Sequence, residues 1–184
     1  MRKIIAGINM TIDGFCDHTL SVADEELHDH YTDLLSNSGV ILYGRITYKL
    51  MEDFWPDIID HPTGDRSMDE FAVTIQNIQK IVFSRTLNNV GWVNAKLATR
   101  ELEEEISELR QQSGKDILIG SPSLIAAMTK LNYIDEYQLC IHPIIAGKGL
   151  QLFKGLSDSL RLKLIKTKTF GSGAITLYYE APGK

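Results

Sequence analysis

The sequence predicts an α/β fold, a three-layer α/β/α sandwich around a mixed, mostly parallel sheet with antiparallel C-terminal strands. Three observations carry this. Short apolar runs alternate with amphipathic stretches through the first two thirds of the chain, as βαβ units require. Glycine recurs where an apolar run gives way to helical periodicity. The last third holds three strand-like runs with no helix of length between them, which is how antiparallel strands are joined.

Taken in order, Lys3 to Asn9 is a β-branched run closed by the turn-like pair Asp13-Gly14. Ser21 and Asp24 are suited to cap a helix reaching Ser38, in which Leu27, Tyr31, Leu34 and Leu35 form one apolar stripe. Gly39 to Tyr43 is apolar almost throughout, as expected of a strand covered on both faces. It runs into Gly44-Arg45-Ile46-Thr47-Tyr48, where a helix begins. From Asp53 to Asp69 the pattern dissolves among Pro56, Pro62, Gly64 and charges, and this reads as a loop, followed by a short helix from Met68 to Gln76. Lys80 to Ser84 is a third strand and Trp92 to Ala95 a short fourth. Thr99 opens an amphipathic helix to Ser113, ended by Gly114. Asp116 to Ile119 is a buried strand, and Gly120-Ser121-Pro122-Ser123 leads into a helix to Leu131, with Pro122 in the first turn, where its missing N–H costs nothing. Glu136 to Ile141, Leu160 to Thr167 and Ala174 to Glu180 are the closing strands.

The 184 residues fit one domain, 1–184, that hides roughly 70% of its unfolded surface and so needs no staples. With 43% hydrophobic residues, disorder is excluded, and 19 basic against 24 acidic residues argue against a nucleic-acid partner. The two cysteines, Cys16 and Cys140, stand far apart, which excludes a disulfide scaffold and a cysteine-based zinc site. The first residues do not resemble a secretion signal, and no stretch approaches the ~20 apolar residues of a membrane span. The expectation is a reduced, cytoplasmic protein with no membrane partner and no metal.

Two strand-to-helix junctions combine glycine with hydroxyl side chains: Gly44-Arg45-Ile46-Thr47 and Gly120-Ser121-Pro122-Ser123-Leu124. Helix N-termini present amide donors and a positive dipole end to anions, and glycine lets a phosphate approach the backbone. Neither junction has the spacing of the common dinucleotide or triphosphate loops, and taken singly each is equally an ordinary capped turn. Ser84-Arg85 closes the third strand with a hydroxyl and a planar fork suited to a phosphate or an adenine face. What links the three is that ligands of open α/β sheets lie beyond the carboxyl ends of the strands, and all three junctions follow such ends.

In the order Thr11-Ile12-Asp13-Gly14, Gly44-Arg45-Ile46-Thr47-Tyr48, Ser84-Arg85, Ile119 to Leu124, Ile134-Asp135-Glu136 and His142 to Phe153, the chain resembles the dihydrofolate-reductase-like superfamily over nearly its whole length. The resemblance is strongest to the branch typified by the C-terminal reductase domain of the bacterial riboflavin-biosynthesis protein. It implies a dihydrofolate-reductase-like fold, NADPH as hydride donor, a small-molecule substrate and a homodimer. It places Gly44, Arg45 and Thr47 at the cofactor phosphates, Ser84 and Arg85 at the adenosine 2′-phosphate, and Gly120, Ser121, Ser123 and Leu124 at a second phosphate-side turn. Gly7 would lie under the nicotinamide, and Asp13 and Gly14 would begin the loop flanking it. The implied activity is a riboflavin-type reduction of a pyrimidine such as 5-amino-6-(5-phosphoribosylamino)uracil, or of a pteridine. An NADPH- or small-molecule-binding domain without catalysis and a dihydrofolate reductase are the alternatives. The carboxylate that folate reductases carry on the first long helix falls near His28 here, which fits the riboflavin-type branch better.

Hydride transfer needs the donor carbon held about 3–3.5 Å from its acceptor with water excluded, and a C=N or C=O acceptor also needs a proton. Asp13, Glu25 and His28, with Tyr31 beside them, are the candidate proton donors. His28 and His30 fall on different helix faces and do not make a metal pair. Phe54 and Trp55 read as pocket lining or as core, Glu101 to Glu105 as a solvated helix start, and Lys148 as a phosphate contact or an exposed loop lysine.

Overall fold

The computed structural model describes residues 1–21 and 23–183. Along the chain β1 (Ile4–Thr11) is followed by α1 (Glu25–Ser36), β2 (Ser38–Gly44), α2 (Arg45–Asp60), α3 (Arg66–Asn77), β3 (Gln79–Phe83) and β4 (Ala95–Leu97). Then come α4 (Leu102–Gln111), β5 (Asp116–Ile119), α5 (Pro122–Lys130), β6 (Glu136–His142), β7 (Lys163–Thr169) and β8 (Ile175–Glu180). Among the described residues no helix is long and apolar enough to cross a membrane.

The chain divides into two compact units, Met1–Arg2 with Glu25–Leu118, and Lys3–Asp24 with Ile119–Lys184. In the first, strands run in the order β4-β3-β2-β5, with β2 parallel to β3 and β3 parallel to β4. β2 buries Val40, Ile41, Leu42 and Tyr43 in one run, the pattern of a strand covered on both faces. In the second unit the order is β1-β6-β8-β7: β1 and β6 are parallel, and β8 and β7 antiparallel to their neighbours. Thus the mixed, mostly parallel α/β class with antiparallel C-terminal strands holds. A long segment, residues 143–162, separates β6 from β7, a short return joins β7 to β8, and α5 packs on β6, where the Tyr137 hydroxyl donates to Thr129 Oγ1 at 3.0 Å.

Most boundaries fall within two or three residues of expectation. The segment Asp53 to Asp69 does not: α2 continues through Pro56 to Asp60, and α3 begins at Arg66, so only a short connection remains non-helical. A proline inside a helix removes one backbone bond and costs about 3 kcal/mol. Packing offsets it. The adjacent Trp55 ring lies 4.4 Å from Phe71 of α3 and 6.3 Å, edge-on, from His28 of α1. Asp65 then caps α3 by accepting from the Met68 amide at 3.0 Å, while Asp69 closes the connecting turn by accepting from the Thr63 and Gly64 amides.

Lys80, at the start of β3, is fully buried. Its Nζ donates to the carbonyls of Gln76, Ile78 and Val93 at 3.0, 3.0 and 3.1 Å and lies 4.3 Å from the centre of the Trp92 ring. Burial pushes the ammonium down to about 8, yet three acceptors match the three donors of an –NH₃⁺ group. The arrangement ties the end of α3, the start of β3 and the approach to β4 to one atom. Replacing Lys80 with alanine strands the buried carbonyls and opens a cavity, so chemical denaturation of that variant should show a loss of about 3 kcal/mol; a change below ~0.5 kcal/mol would contradict this account.

Candidate functional site

In the first unit, the parallel register sets Gly44 opposite Phe83, so β2 and β3 end level and release the chain side by side. From one end emerges Gly44-Arg45, from the other Ser84-Arg85. Gly44 is the N-cap of α2, with extended backbone (φ −80°, ψ 161°) and no side chain to accept from the first-turn amides. Arg45 is exposed and Thr47 half-buried. Ser84 Oγ accepts from the Thr86 and Leu87 amides at 3.1 and 2.9 Å, which folds the loop back and leaves Arg85 facing solvent. The structure therefore brings Gly44, Arg45, Thr47, Ser84 and Arg85 to the adjoining carboxyl ends of two neighbouring strands.

The remaining expected residues belong to the second unit, except Glu25 and His28, which lie on α1 of the first. Ser121, 1% exposed, is the N-cap of α5, with Pro122 in the first turn, Ser123 exposed and Leu124 buried behind it; Gly120 directly follows β5. Gly7 is buried within β1, opposite Gln138.

First-turn charge separates the helices. α1 opens with Glu25 and Glu26, α3 with Asp69 after an Asp65 cap, and α4 with Glu103, Glu104 and Glu105. Those carboxylates complement the helix dipole themselves. Among the described helices, α2 and α5 alone have no first-turn acid and no side-chain cap bond.

Of the three candidate proton donors, Asp13 has a different occupation. Its Oδ1 accepts from the Thr11 hydroxyl at 2.6 Å and the Ala146 amide at 3.0 Å, and its Oδ2 from the Gly147 amide at 2.7 Å. These donors, the Thr11 hydroxyl first, hold the carboxyl down at about 2, so at neutral pH it carries no proton to give. Ile12 and Cys16 amides donate to the Ile144 and Leu150 carbonyls, and the Leu152 amide donates to Gly14. Asp13 is thus the anchor of a zipped loop pair. Glu25 accepts from Arg66 Nη2 at 2.6 Å on the surface, and Asp29 and Glu70 bind the same guanidinium. His28 is half-buried between Trp55 and Phe71, with Nδ1 3.5 Å from Ser67 Oγ. Trp55 belongs to this cluster, while Phe54 is largely exposed.

One polar cluster escaped the sequence reading. Asn9, Cys140 and His142 share a sheet face with Gly7, and His142 Nε2 lies 3.1 Å from Asn9 Oδ1 and 3.8 Å from Cys140 Sγ. Burial lowers the His142 pKa, and Asp24 opposes that shift. The spacing of Cys140 and His142, two apart on a strand, was the only local signal.

Comparison with known proteins gives the family and the fold. A family model described as the RibD C-terminal domain matches residues 2–176. The Bacillus subtilis protein YyaP is 33% identical over 99% of this chain and 96% of its own. The solved structure of a putative riboflavin biosynthesis protein from Shewanella sp. PV-4 superposes with a TM-score of 0.74 at 20% identity, over 98% of this chain and 99% of that one. A dihydrofolate reductase from Enterococcus faecalis, complexed with NADP(H), gives a TM-score of 0.62 at 12% identity, covering 98% and 96%; the fold is dihydrofolate-reductase-like.

Asp13 titrates at about 2 in the folded chain against an ordinary 3.8, so its stabilising effect is present above the unfolded value and is lost as pH falls from about 4 to about 2. Thermal melts of the wild type should lose more between those pH values than melts of Asp13→Asn. Equal losses would remove the anchoring role.

Proposed function

The chain belongs to the RibD C-terminal domain family, a family of reductases, and from that premise we propose that it transfers a hydride from NADPH to a small heterocycle. The single observation that carries the cofactor assignment is the pair of level strand ends at Gly44 and Phe83, which sets Arg45 and Thr47 beside Ser84 and Arg85. When bound, the nicotinamide supplies the hydride. In this reading Gly44, Arg45 and Thr47 bind the pyrophosphate side through the α2 amides. Arg85 and Ser84 bind the 2′-phosphate, where a guanidinium fork gives a charge-assisted, bidentate contact that an unphosphorylated ribose cannot use. Gly120, Ser121, Ser123 and Leu124 form the second phosphate-side turn, and Gly7 leaves room for the flat face of the ring.

The substrate in this reading is a riboflavin-type pyrimidine such as 5-amino-6-(5-phosphoribosylamino)uracil, with a pteridine next. The loop zipped by Asp13 borders the acceptor and excludes water, leaving Glu25 and His28 as the side-chain proton sources. A homodimer completes the proposal. Gln138 to Ile141 offers no edge for it, because β6 lies between β1 and β8. β7 does: among the described residues it pairs only with β8, and it exposes every residue, Leu164 at 52% and Ile165 at 51% included.

Arg85→Ala should weaken NADPH binding by about tenfold or more while leaving NADH binding unchanged, as loss of a charged hydrogen-bonding partner predicts; equal losses would refute the 2′-phosphate role. NADPH oxidation across a panel of pyrimidines and pteridines tests the reaction, and binding without turnover on any of them would favour the non-catalytic alternative. Sedimentation should give twice the monomer mass, and Ile165→Lys should halve it.

A further inference from the structure

Tyr48 is fully buried on α2, one residue beyond the Gly44–Thr47 junction, and its hydroxyl has two partners. It donates to Glu52 Oε1 and accepts from the Trp92 amide at 3.1 Å. Glu52 Oε1 also accepts from the Gly91 amide at 3.0 Å, and Oε2 is taken by Lys49 Nζ. Gly91 comes close enough that a Cβ there would stand 3.4 Å from Glu52 Oε1. Burial and the Glu52 bond push the phenol up to about 12. Burial would raise the Glu52 carboxyl, but Lys49, Tyr48 and the Gly91 amide outweigh it and hold it below its ordinary value. The phenol thus stays a donor and the carboxylate an acceptor throughout the neutral range.

This lock closes a loop. The segment Ser84 to Val90, which carries Arg85, starts where Phe83 is registered against Gly44 and ends where Gly91 and Trp92 are bonded to α2. Both ends of the loop are thereby fixed to the strand–helix unit that presents Gly44, Arg45 and Thr47. The Trp92 side chain has a separate hold, its Nε1 donating to Gln76 Oε1 at 2.8 Å. Removing the Tyr48 hydroxyl therefore frees the backbone of the loop end without releasing the indole.

We propose that Tyr48 and Glu52 are positioning residues that set the preference for a 2′-phosphorylated nucleotide, by fixing the Arg85 loop relative to the first turn of α2. The inference rests on the NADPH reading above and deepens it. A bidentate guanidinium contact is geometrically strict, whereas phosphates bound at the α2 amides do not depend on the loop. Loosening the loop therefore weakens the 2′-phosphate contact and spares the rest.

The test is titration of the purified full chain with NADPH and with NADH, alongside thermal melts, for wild type, Tyr48→Phe, Glu52→Ala and Glu52→Gln. Tyr48→Phe leaves the buried Trp92 amide without its acceptor, and NADPH affinity should fall about tenfold with NADH affinity unchanged. Glu52→Ala, at a partly exposed position, should do the same and stands in if Tyr48→Phe does not fold. Glu52→Gln keeps an acceptor oxygen for Tyr48 and Gly91 and should retain the wild-type ratio, which a purely charge-based role would not. A wild type that prefers NADPH, with variants whose two affinities fall together or not at all, overturns the positioning role alone. A wild type that binds neither nucleotide overturns the parent reading, before any variant is measured.

Discussion

The parallel ladder between β2 and β3 is the constraint on which the first unit depends. Its rungs run from Val40 opposite Gln79 to Gly44 opposite Phe83. A strand with alternating polar and apolar residues fixes its register by the cost of turning the wrong face inward. β2 has no such alternation, since Val40 to Tyr43 are all buried. The register must be held from the ends. At the start of β3, Lys80 is enclosed by three carbonyls, an arrangement that a slip of one residue would break. At the far end, α2 begins directly after Gly44 and is bonded through Tyr48 and Glu52 to the chain that returns from β3.

A net charge of −5 disfavours the proposed polyanionic nucleotide at long range, yet net charge is a poor guide at contact distance. Ionic screening confines the influence of exposed charges to about 8 Å at physiological salt. What decides binding is the distribution. The acids that complement helix dipoles sit on α1, α3 and α4, and those helices need no external anion. α2 and α5 lack them, and α2 carries Arg45 at its first position instead.

Local features were legible in the sequence, and distant partnerships were not. The glycine junctions, the Pro122 helix start and the apolar β2 run each declare themselves within a few residues, and the structure has them where expected. Pro56 misled because its cost is local while its compensation, Trp55 against Phe71, comes from another helix. Asp13 looked like an available acid because its two amide donors lie more than a hundred residues away. The Tyr48–Glu52 pair was visible as a helical i, i+4 spacing, but nothing in that spacing announces the Trp92 amide. Asn9 and His142 meet only because β1 pairs with β6. In the candidate site, then, sequence marked the backbone corners and concealed what holds them.

That division bears on the chemistry. A general acid typically contributes 10²–10⁴-fold, about 3–5 kcal/mol, whereas orientation of two reactants accounts for up to ~7–11 kcal/mol of a barrier. The carboxylate nearest the end of β1, Asp13, is held as an anion and used to zip residues 12–16 to residues 144–152. Using it as an acid would require giving up those bonds in each cycle. A fold that commits this residue to rigidity keeps the larger of the two contributions and leaves the smaller to groups not bound into the backbone. Along the same loop pair Ile12, Ile145 and Leu150 remain exposed. For the proposed hydride transfer, where a fraction of an ångström in the approach of two carbons outweighs the identity of the proton source, that is the more effective use of a single carboxylate.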